Sequence, residues 1–493
     1  MNAIEANLSV IDYNKSLPTV PVVPKIQPGY LAPQLPTEAP LDGESWDDIQ
    51  ADVASKIVPG LTHWNSPNFF AFFPGSVTYP SILGEMYSAA FTAPAFNWLC
   101  SPACTELETI VMDWLAKAFA LPPTFLSTSE NGGGGVIHGS ASEAIVTVMV
   151  AARERYLKMR ADEEGLVDGT MQRDDRIAFL RGRLVALGST ESHSSTKKGA
   201  IIAGTRFKTV PVDLDEDLSL TGSRLQAVLE ECKAEGLEPY YITTTLGTTT
   251  SCAVDRFDEI AEIKKAWKGL WVHVDAAYAG AALVCEEYQH YSKAMQMADS
   301  FNMNMHKWLL VNFDASCLFI QKRADLTHAL SIMPAYLQNN FTDSGLVTDY
   351  RDWQIPLGRR FRALKVWFVL RTYGIKGLQQ HIRRSVELGD LFTELLTSKG
   401  QLFEIVGTPR FALTCFRIRP SAIGGLDEEA NIRTKEIARL INEEGKIFLT
   451  ASAIAGKAVI RCNPGNANVT EESVRNAFEV ILKWTEKVMD AKI

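Results

Sequence analysis

Hydrophobic positions in the middle of the chain alternate between short β-branched segments and longer amphipathic ones. Buried strands are predicted for RLVALGST (183–190), YYITTTLGTTT (240–250) and LWVHVDAAYAG (270–280), and helices for 222–235 and 256–268. Upstream of them, a helix is predicted to end at about Lys158, and the polar segment 160–169 to form a solvated loop. Strands that alternate with helices of this length form βαβ units, so the pattern predicts a mainly parallel sheet in an α/β domain.

Proline dominates the pattern near the N-terminus. Seven prolines lie between Pro18 and Pro40, and proline lacks an amide donor, so this segment is predicted to be an extended arm. We expect the arm to lie on another surface, such as a second subunit. A short helix is predicted over 44–58, and a longer helix after Ser101 as its capping residue, with Pro102 in the first turn.

The pattern changes again near the C-terminus. Strands are predicted in FALTCFRIRP (411–420), IFLTAS (447–452) and AVIRC (458–462), with a helix at about 427–444. Short strands around a helix are typical of an α+β unit with antiparallel strands. We therefore divide the chain into an N-terminal arm with helices (1–78), a large domain (79–370) and a small C-terminal α+β domain (371–493).

Composition and charge narrow the class of protein. Of the 493 residues, 46% are hydrophobic and 22% are charged, which excludes a disordered, collagenous or coiled-coil protein. The net charge of −9 argues against a nucleic-acid partner, and no apolar run reaches the roughly 18 residues of a membrane span. The eight cysteines are scattered, so we expect reduced thiols and a cytoplasmic location.

Two residues stand out as candidates for chemistry. Lys307 lies in NMNMHKWLL, and a desolvated lysine can form a Schiff base, although a lysine that reaches the surface is the alternative. Asp275 ends the apolar run WVHVD. Functional groups of parallel sheets collect at the carboxyl ends of strands, although a helix N-cap is the alternative for this aspartate.

Small and hydroxyl residues precede one of the predicted helices. Gly132–Gly135 and then GSASE (139–143) place free amides at the helix N-terminus, where they favour an anion such as phosphate. A flexible turn with a serine cap is the alternative. His193 and Thr248–Thr250 follow predicted strands; the histidine could instead be a surface residue, and a threonine hydroxyl can donate to phosphate.

Together, a Gly/Ser phosphate cradle, a histidine, an aspartate at a strand end and a His-Lys pair form the set that pyridoxal 5'-phosphate (PLP) requires. In this order the sequence resembles the group II PLP-dependent decarboxylases, and within them the aromatic L-amino acid decarboxylases. The matching stretches are FFAFFPGSVTYPSILGEM, SPACTELETIVMDWLAK, SASEA, HSS, TLGTTTSCAVD, WVHVDAAYAG, NMHKWLLVNFD and DSGLVTDYRDWQIPLGRRFRALKVWF.

The resemblance implies a fold-type I enzyme, a homodimer with active sites at the subunit interface and an N-terminal arm that packs on the partner subunit. It implies that Lys307 forms the Schiff base, that Asp275 pairs with the pyridine nitrogen and that His193 stacks on the ring. The further cofactor-binding positions that it implies are Ser140, Ala141, Ser142, Thr249, Asn304 and His306.

The resemblance also implies positions that act on the substrate. Tyr336, in MPAYLQNN, matches a loop tyrosine whose phenol can protonate the carbon that has lost CO2, although a hydrophobic loop anchor is the alternative. Gly358 matches a size-determining position and leaves room for an indole, although it could instead permit a backbone turn. The other implied substrate-binding positions are Trp64, Phe72, Phe73 and Pro74, with Pro94 and Phe96 reaching the site from the partner subunit.

The implied activity is decarboxylation of an aromatic L-amino acid to its amine and CO2. Tryptophan or hydroxytryptophan is favoured, and phenylalanine, tyrosine and DOPA are further candidates. Two alternatives stay open, an aromatic aldehyde synthase on the same scaffold and a catalytically silent binding protein of this fold. We assign no metal ligands, no nucleic-acid partner and no membrane partner.

Overall fold

The computed structural model describes residues 3–332, 340–343 and 347–490. Its strands are β1 Gly134–His138, β2 Leu184–Ser189, β3 Arg206–Val210, β4 Glu238–Thr245, β5 Trp271–Asp275, β6 Ser300–Asn304, β7 Ser316–Ile320, β8 Phe403–Ile405, β9 Thr414–Ile418, β10 Thr450–Ile454 and β11 Lys457–Cys462. Its α-helices are α1 Ala3–Ser16, α2 Trp46–Asp52, α3 Tyr79–Phe91, α4 Pro102–Ala118, α5 Ala141–Glu163, α6 Met171–Arg181, α7 Ser194–Ile202, α8 Gly222–Ala234, α9 Phe257–Ala266, α10 His290–Ala294, α11 Met305–Trp308, α12 Arg323–Leu330, α13 Asn340–Asp343, α14 Arg362–Ser398, α15 Asp427–Glu444 and α16 Glu471–Asp490.

The chain clusters into two compact units. The large unit comprises residues 76–383, and the small unit combines the residues up to Gly75 with those from Arg384 onward. The division falls within α14, which is interrupted at Gly374 by a left-handed φ of 60°. The predicted boundaries at residues 78 and 370 stay a prediction.

A seven-stranded sheet forms the large unit, in the order β1-β7-β6-β5-β4-β2-β3. Strands β6, β5, β4, β2 and β3 are parallel to one another, whereas β7 is antiparallel to both β6 and β1. All strands of this sheet except β7 therefore run in the same direction, and their carboxyl ends meet at one edge. This confirms the predicted α/β class with a mainly parallel sheet.

Helices cover both faces of this sheet because its strands are apolar on both faces. In β2, Leu184 and Ala186 pack in one hydrophobic cluster with residues of α5. The alternating residues Val185 and Leu187 pack on the other face with residues of α8 and α9. The two layers of helices bury the faces of the sheet. The edge where the carboxyl ends of the strands meet is not covered by these layers.

The small unit contains a four-stranded antiparallel sheet in the order β10-β11-β9-β8. Phe416 on β9 packs in one cluster with Ile437 of α15 and Ile481 of α16. This confirms the predicted small α+β unit with antiparallel strands. The helix predicted at 427–444 is α15.

The structure corrects several of the predicted elements. Helix α5 continues to Glu163, so the first part of the predicted loop 160–169 is helical; the pair of Lys158 with Asp162, one turn apart, supports that helix. Helices α1 and α6 were not predicted from the sequence. Ser101 precedes α4 as predicted, but its hydroxyl contacts Cys104 Sγ at 3.0 Å instead of capping a backbone amide.

The proline-rich segment, the helix after it and the cysteines agree with what the sequence predicts. Residues 18–40, all of which the structure describes, form no α-helix, and the predicted helix over 44–58 is α2 with a π-helical turn at Val53–Ile57. All eight cysteines lie in the described part and are free thiols, seven of them buried. None of the helices within the described ranges combines the length and the apolar character that crossing a bilayer requires.

Candidate active site

The strand register of the large unit brings distant parts of the sequence to one edge. His138 at the end of β1 and Asn304 at the end of β6 both pair with Ser316 of β7. Asp275 at the end of β5 lies beside Thr245 at the end of β4. The Gly/Ser segment after β1, the aspartate after β5 and the lysine after β6 therefore lie along the carboxyl edge of the same sheet, where α/β proteins bind ligands.

Lys307 lies in the short helix α11, immediately after β6. Its side chain is half-buried, and its main-chain carbonyl accepts a hydrogen bond from Ser76 Oγ at 3.4 Å. The following residue, Trp308, is fully buried and stacks on Tyr278 with ring centroids 4.6 Å apart. The lysine thus extends from a segment that packing holds rigidly.

Asp275 is buried, with 5% of its surface exposed. One carboxylate oxygen accepts a hydrogen bond from the Ala277 amide at 3.0 Å, and its carbonyl accepts one from the Leu246 amide. The carboxylate therefore stabilises the local turn, but Asp275 is not a helix N-cap, because Tyr278 holds that position for the next helical turn, Ala279–Val284. The carboxylate also acts on its surroundings, because it raises the pKa of His193 against the effect of burial.

His193 is the N-cap residue of α7 and lies on the surface of the chain. Its Nδ1 accepts a hydrogen bond from the Ser195 amide at 3.2 Å and lies 2.7 Å from Ser195 Oγ. Partial burial lowers the pKa of His193 below its ordinary value; Asp275 opposes this shift and Lys307 reinforces it. The three predicted residues are therefore close enough to interact electrostatically, and the neutral imidazole carries its proton on Nε2.

The N-terminus of α5 offers amides to an anion. Ser140 caps the helix by accepting a hydrogen bond from the Glu143 amide at 3.1 Å, as the structural alternative predicted. The amides of Ala141 and Ser142 are among those that helix geometry leaves without an intrahelical partner. A Cβ added at Gly139 would lie 3.0 Å from a carboxylate oxygen of Asp314. A residue larger than glycine would therefore crowd the space in front of the α5 N-terminus.

The other predicted cofactor positions also follow the strands of this edge. Asn304 is buried and its Oδ1 accepts a hydrogen bond from Ser316 Oγ at 2.7 Å. His306 Nδ1 accepts one from the Ala315 amide at 2.8 Å. Burial, and secondarily Lys307, lower the pKa of His306 to about 4, so this imidazole is neutral at pH 7. Thr249 is half-buried in the turn after β4.

The donor set along this edge fits PLP. A helix N-terminus with free amides suits a phosphate dianion, and a buried carboxylate suits a protonated pyridine nitrogen. A half-buried lysine supplies the amine for a covalent bond, and a neutral imidazole supplies a flat face for the ring. The fit between these residues and PLP is based on the chemistry of the side chains and on their order along the carboxyl edge of the sheet.

The predicted substrate residues of the large unit lie near residues 349–359. The Phe96 carbonyl accepts a hydrogen bond from the Arg351 amide at 3.2 Å, and Pro94, two residues earlier, is exposed. Gly358 is exposed, its φ lies outside the left-handed region, and an added Cβ would meet nothing within 4 Å. The backbone at this position therefore does not require glycine.

The other predicted substrate residues belong to the small unit. Trp64 and Phe72 stack with ring centroids 5.5 Å apart, and both are more than two-fifths exposed. Phe73 lies under the guanidinium of Arg461, and Pro74 is buried. Tyr336, the predicted proton donor, lies outside the described residues.

A buried ion pair that the sequence did not predict lies beside this edge. Arg359 binds Glu108 through two hydrogen bonds of 2.9 and 2.7 Å, and both side chains are almost fully buried. Glu108 also accepts a hydrogen bond from the Ile137 amide in β1. The pair connects α4 and β1 to the segment that carries Gly358. The adjacent arginines in PLGRRF could have indicated an ion pair. The sequence pattern does not indicate, however, that Arg359 is the buried one.

Comparison with known proteins identifies the class. Residues 28–419 match the pyridoxal-dependent decarboxylase conserved domain, so the chain belongs to this family. It is a PLP-dependent carboxy-lyase. It is 41% identical to an aromatic-L-amino-acid decarboxylase of Cavia porcellus, over 97% of this chain and 96% of the relative, and 42% identical to a phenylacetaldehyde synthase of Arabidopsis thaliana, over 96% and 92%. A crystal structure of Oryza sativa TDC with PLP and tryptamine matches with a TM-score of 0.93 and 37% identity, over 99% of this chain and 97% of that one.

Proposed function

We propose that this enzyme converts an aromatic L-amino acid to the corresponding amine and CO2, with tryptophan or hydroxytryptophan favoured. The observation that carries the proposal is the row of Asp275, His193 and Lys307 beside the α5 N-terminus. The relatives named for aromatic amino acid decarboxylation support the substrate class. The tryptamine in the rice structure supports an indole substrate and an amine product.

In this proposal each residue has one task in holding the cofactor. Lys307 forms the covalent bond, and the amides of Ala141 and Ser142 bind the phosphate at the α5 N-terminus. Asp275 holds the proton of the pyridine nitrogen. When bound, PLP supplies an electron sink for the electron pair that remains when CO2 leaves. Hydroxyl and amide donors of Ser140, Thr249 and Asn304 complete the phosphate side.

The two histidines contribute as neutral groups. His193 keeps Nδ1 as an acceptor for the Ser195 amide, so its Nε2–H and its ring face are available to the cofactor and the substrate. His306 keeps Nδ1 as an acceptor for the Ala315 amide. Burial keeps His306 uncharged, so its ring lies beside Lys307 as a neutral group.

We propose that several residues of the chain contact the side chain of the substrate. They are Trp64, Phe72, Phe73, Pro74 and Gly358, with Pro94 and Phe96 supplied by the partner subunit. The open space around Gly358 supports the proposal that this position admits a bicyclic indole, because no side chain occupies it. The exposed, stacked rings of Trp64 and Phe72 support an aromatic partner.

An aldehyde synthase is the second candidate function, because a phenylacetaldehyde synthase is among the similar proteins. That reaction consumes O2 and water and releases aldehyde, CO2, ammonia and H2O2. We propose that Tyr336 decides between the two outcomes by protonating the carbon that has lost CO2. A tyrosine at this position favours the amine.

The experiment is a panel of aromatic L-amino acids incubated with the PLP-loaded enzyme, with amine, CO2, aldehyde and H2O2 measured together. We expect CO2 and amine in equal amounts, with tryptophan or 5-hydroxytryptophan turned over fastest, and neither product from Lys307→Ala. Aldehyde and H2O2 in equal amounts would establish the synthase instead. Loaded enzyme that releases no CO2 from any member would favour the silent binding protein.

We also propose a homodimer in the cytoplasm. Helix α3 has a row of large exposed apolar side chains, Tyr79, Leu83, Met86, Tyr87 and Phe91, which a second copy of the chain would bury. The free thiols are compatible with a reducing compartment. Light scattering on the eluting protein measures the mass, and a single-chain mass at micromolar concentration would contradict the dimer.

A further inference from the structure

Three aromatic side chains of the small unit form a surface that we call the aromatic platform: Trp64, Phe72 and Phe448. Trp64 and Phe72 stack with an interplanar angle of 15° and are 45% and 44% exposed. Phe448 meets Phe72 edge-on, with ring centroids 5.8 Å apart. Two large rings are thus held parallel to one another although much of their surface is unburied.

Backbone hydrogen bonds lead up to the platform. Residues 68–72 run beside 448–450, where the Phe448 amide donates to the Asn68 carbonyl at 3.2 Å and the Phe70 amide donates to the Phe448 carbonyl at 3.0 Å. The next amide in this alternating series belongs to Phe72, and it donates to the side-chain Oγ1 of Thr450 at 2.6 Å. A side-chain hydroxyl therefore accepts the hydrogen bond at the point where the ladder stops.

The backbone of Phe72 is strained at this point. Its φ is 53°, in the left-handed region that a residue with a bulky side chain rarely adopts. Strain of this kind persists only where the surroundings impose it, and it concentrates at functional sites. The Thr450 hydroxyl supplies the acceptor that this turned amide needs, while Trp64 and Phe448 fix the ring.

We propose that Thr450 is a positioning residue for substrate specificity, and this inference rests on the proposed function. Its hydroxyl holds Phe72 in the left-handed conformation, which keeps the ring parallel to Trp64. The aromatic side chain of the substrate then binds to a surface that is already ordered and loses less conformational entropy on binding. The occupant of the platform is the substrate ring, because an aromatic side chain can add an offset-stacked or edge-to-face contact to the exposed rings of Trp64 and Phe72.

The test compares Thr450→Val, which keeps the shape but removes the acceptor, with Thr450→Ser, which keeps the acceptor. In the PLP-loaded enzyme we expect Thr450→Val to raise KM for tryptophan and the Kd of tryptamine roughly 2- to 13-fold, because a net hydrogen bond is lost. The kcat and the cofactor absorbance should change less than twofold, and Thr450→Ser should restore both constants. Thr397→Val is the matched control, because Thr397 is exposed and its hydroxyl donates a hydrogen bond to the Thr393 carbonyl in its own helix.

Several outcomes would overturn the inference. Parental KM and Kd values in Thr450→Val, or a loss of kcat and bound cofactor with unchanged KM, would do so. Dissociation of the assembly by Thr450→Val would show that a second copy of the chain is the occupant. If Thr450→Val does not fold, Thr450→Ala makes the same comparison. Failure of the parent enzyme to release CO2 would reject the proposed function, whereas tryptamine binding would still test Thr450 alone.

Discussion

Asp275 illustrates, at the scale of single residues, how far the sequence determines the site. It ends an apolar strand, and the rule that ligands bind at the carboxyl ends of parallel strands predicts its position correctly. Lys307 follows the neighbouring strand for the same reason. By contrast, the hydrogen bond of Thr450 with Phe72 joins residues 378 positions apart, and no local pattern indicates such a contact.

The charge of Asp275 can be removed without changing its shape. We expect Asp275→Asn to lower kcat about 100-fold or more, because the pyridine nitrogen loses its anionic partner and preorganised charge is worth factors of this size. Steady-state decarboxylation of tryptophan measures the effect. Asp258→Asn, an exposed carboxylate in α9, is the control and should behave as the parent. A kcat within threefold of the parent would reject the role of Asp275.

Gly358 is expected to affect which aromatic substrate the enzyme prefers, because there is open space around this position. Since φ is ordinary and an added Cβ meets nothing within 4 Å, Gly358→Ser should fold with unchanged stability. Its hydroxymethyl group should lower kcat/KM for tryptophan more than for tyrosine, by about 1–3 kcal/mol of transition-state binding. Gly43→Ser, at another exposed glycine with open space, is the control. Equal losses for both substrates would contradict a role in specificity.

At the scale of elements, the strands and the strongly amphipathic helices were predictable, whereas the polar helices were not. Helix α6 follows its N-cap residue Thr170, whose side chain accepts a hydrogen bond from the Arg173 amide, and it contains two buried residues, Arg173 and Leu180. So few buried positions give too little hydrophobic periodicity to predict a helix. The end of α5 escaped prediction because charged residues dominate its sequence, and their ion pairs add to the packing of Met159 and Ala161.

The buried pair of Glu108 and Arg359 connects three elements and should carry much of the local stability. Glu108→Gln leaves the buried guanidinium of Arg359 without its counter-charge, so we expect a loss of about 3–5 kcal/mol in the free energy of unfolding. Urea denaturation followed by circular dichroism measures it. Glu130→Gln, an exposed carboxylate, should show no change. A Glu108→Gln midpoint equal to that of the parent would contradict a structural role for the pair.

At the scale of the whole molecule, the division into two units could not be predicted from local patterns. The N-terminal residues belong to the same unit as the C-terminal ones, through long-range contacts such as the hydrogen bond from the Val22 amide to the Gly445 carbonyl. Proline content predicted an arm, but it carried no information about which surface the arm covers. That information lies in tertiary contacts between segments hundreds of residues apart.

Buried histidines couple the stability of the molecule to pH. Burial lowers the pKa of His138 to about 3 and the pKa values of His273 and His306 to about 4. Between pH 6.5 and pH 4 the unfolded chain binds protons at these positions and the folded chain does not, so stability falls as the pH falls. Asp255 acts in the opposite sense, because burial raises its pKa to about 7 and its contribution is lost as the pH rises from about 4 to 7.

The contribution of one buried histidine to the pH dependence of stability can be measured separately. We expect His273→Gln to make the fall in unfolding free energy between pH 6.5 and pH 4 shallower by about 1.4 kcal/mol per pH unit, the value for one proton. Urea denaturation across this range measures the slope. His290→Gln, at an exposed position, should keep the parental slope. An unchanged slope in His273→Gln would show that the folded protein protonates this residue as readily as the unfolded chain does.

If the carboxyl edge of the large sheet holds PLP through Lys307, chemical reduction should leave the cofactor attached to that lysine. Borohydride reduction of the active enzyme fixes the bond between cofactor and lysine, and mass spectrometry of the digested protein locates it. We expect the pyridoxyl group on the peptide that contains Lys307, and we expect excess tryptophan added before reduction to remove it from the protein. A pyridoxyl group on another lysine, such as Lys198, or none in enzyme that still releases CO2, would contradict the account.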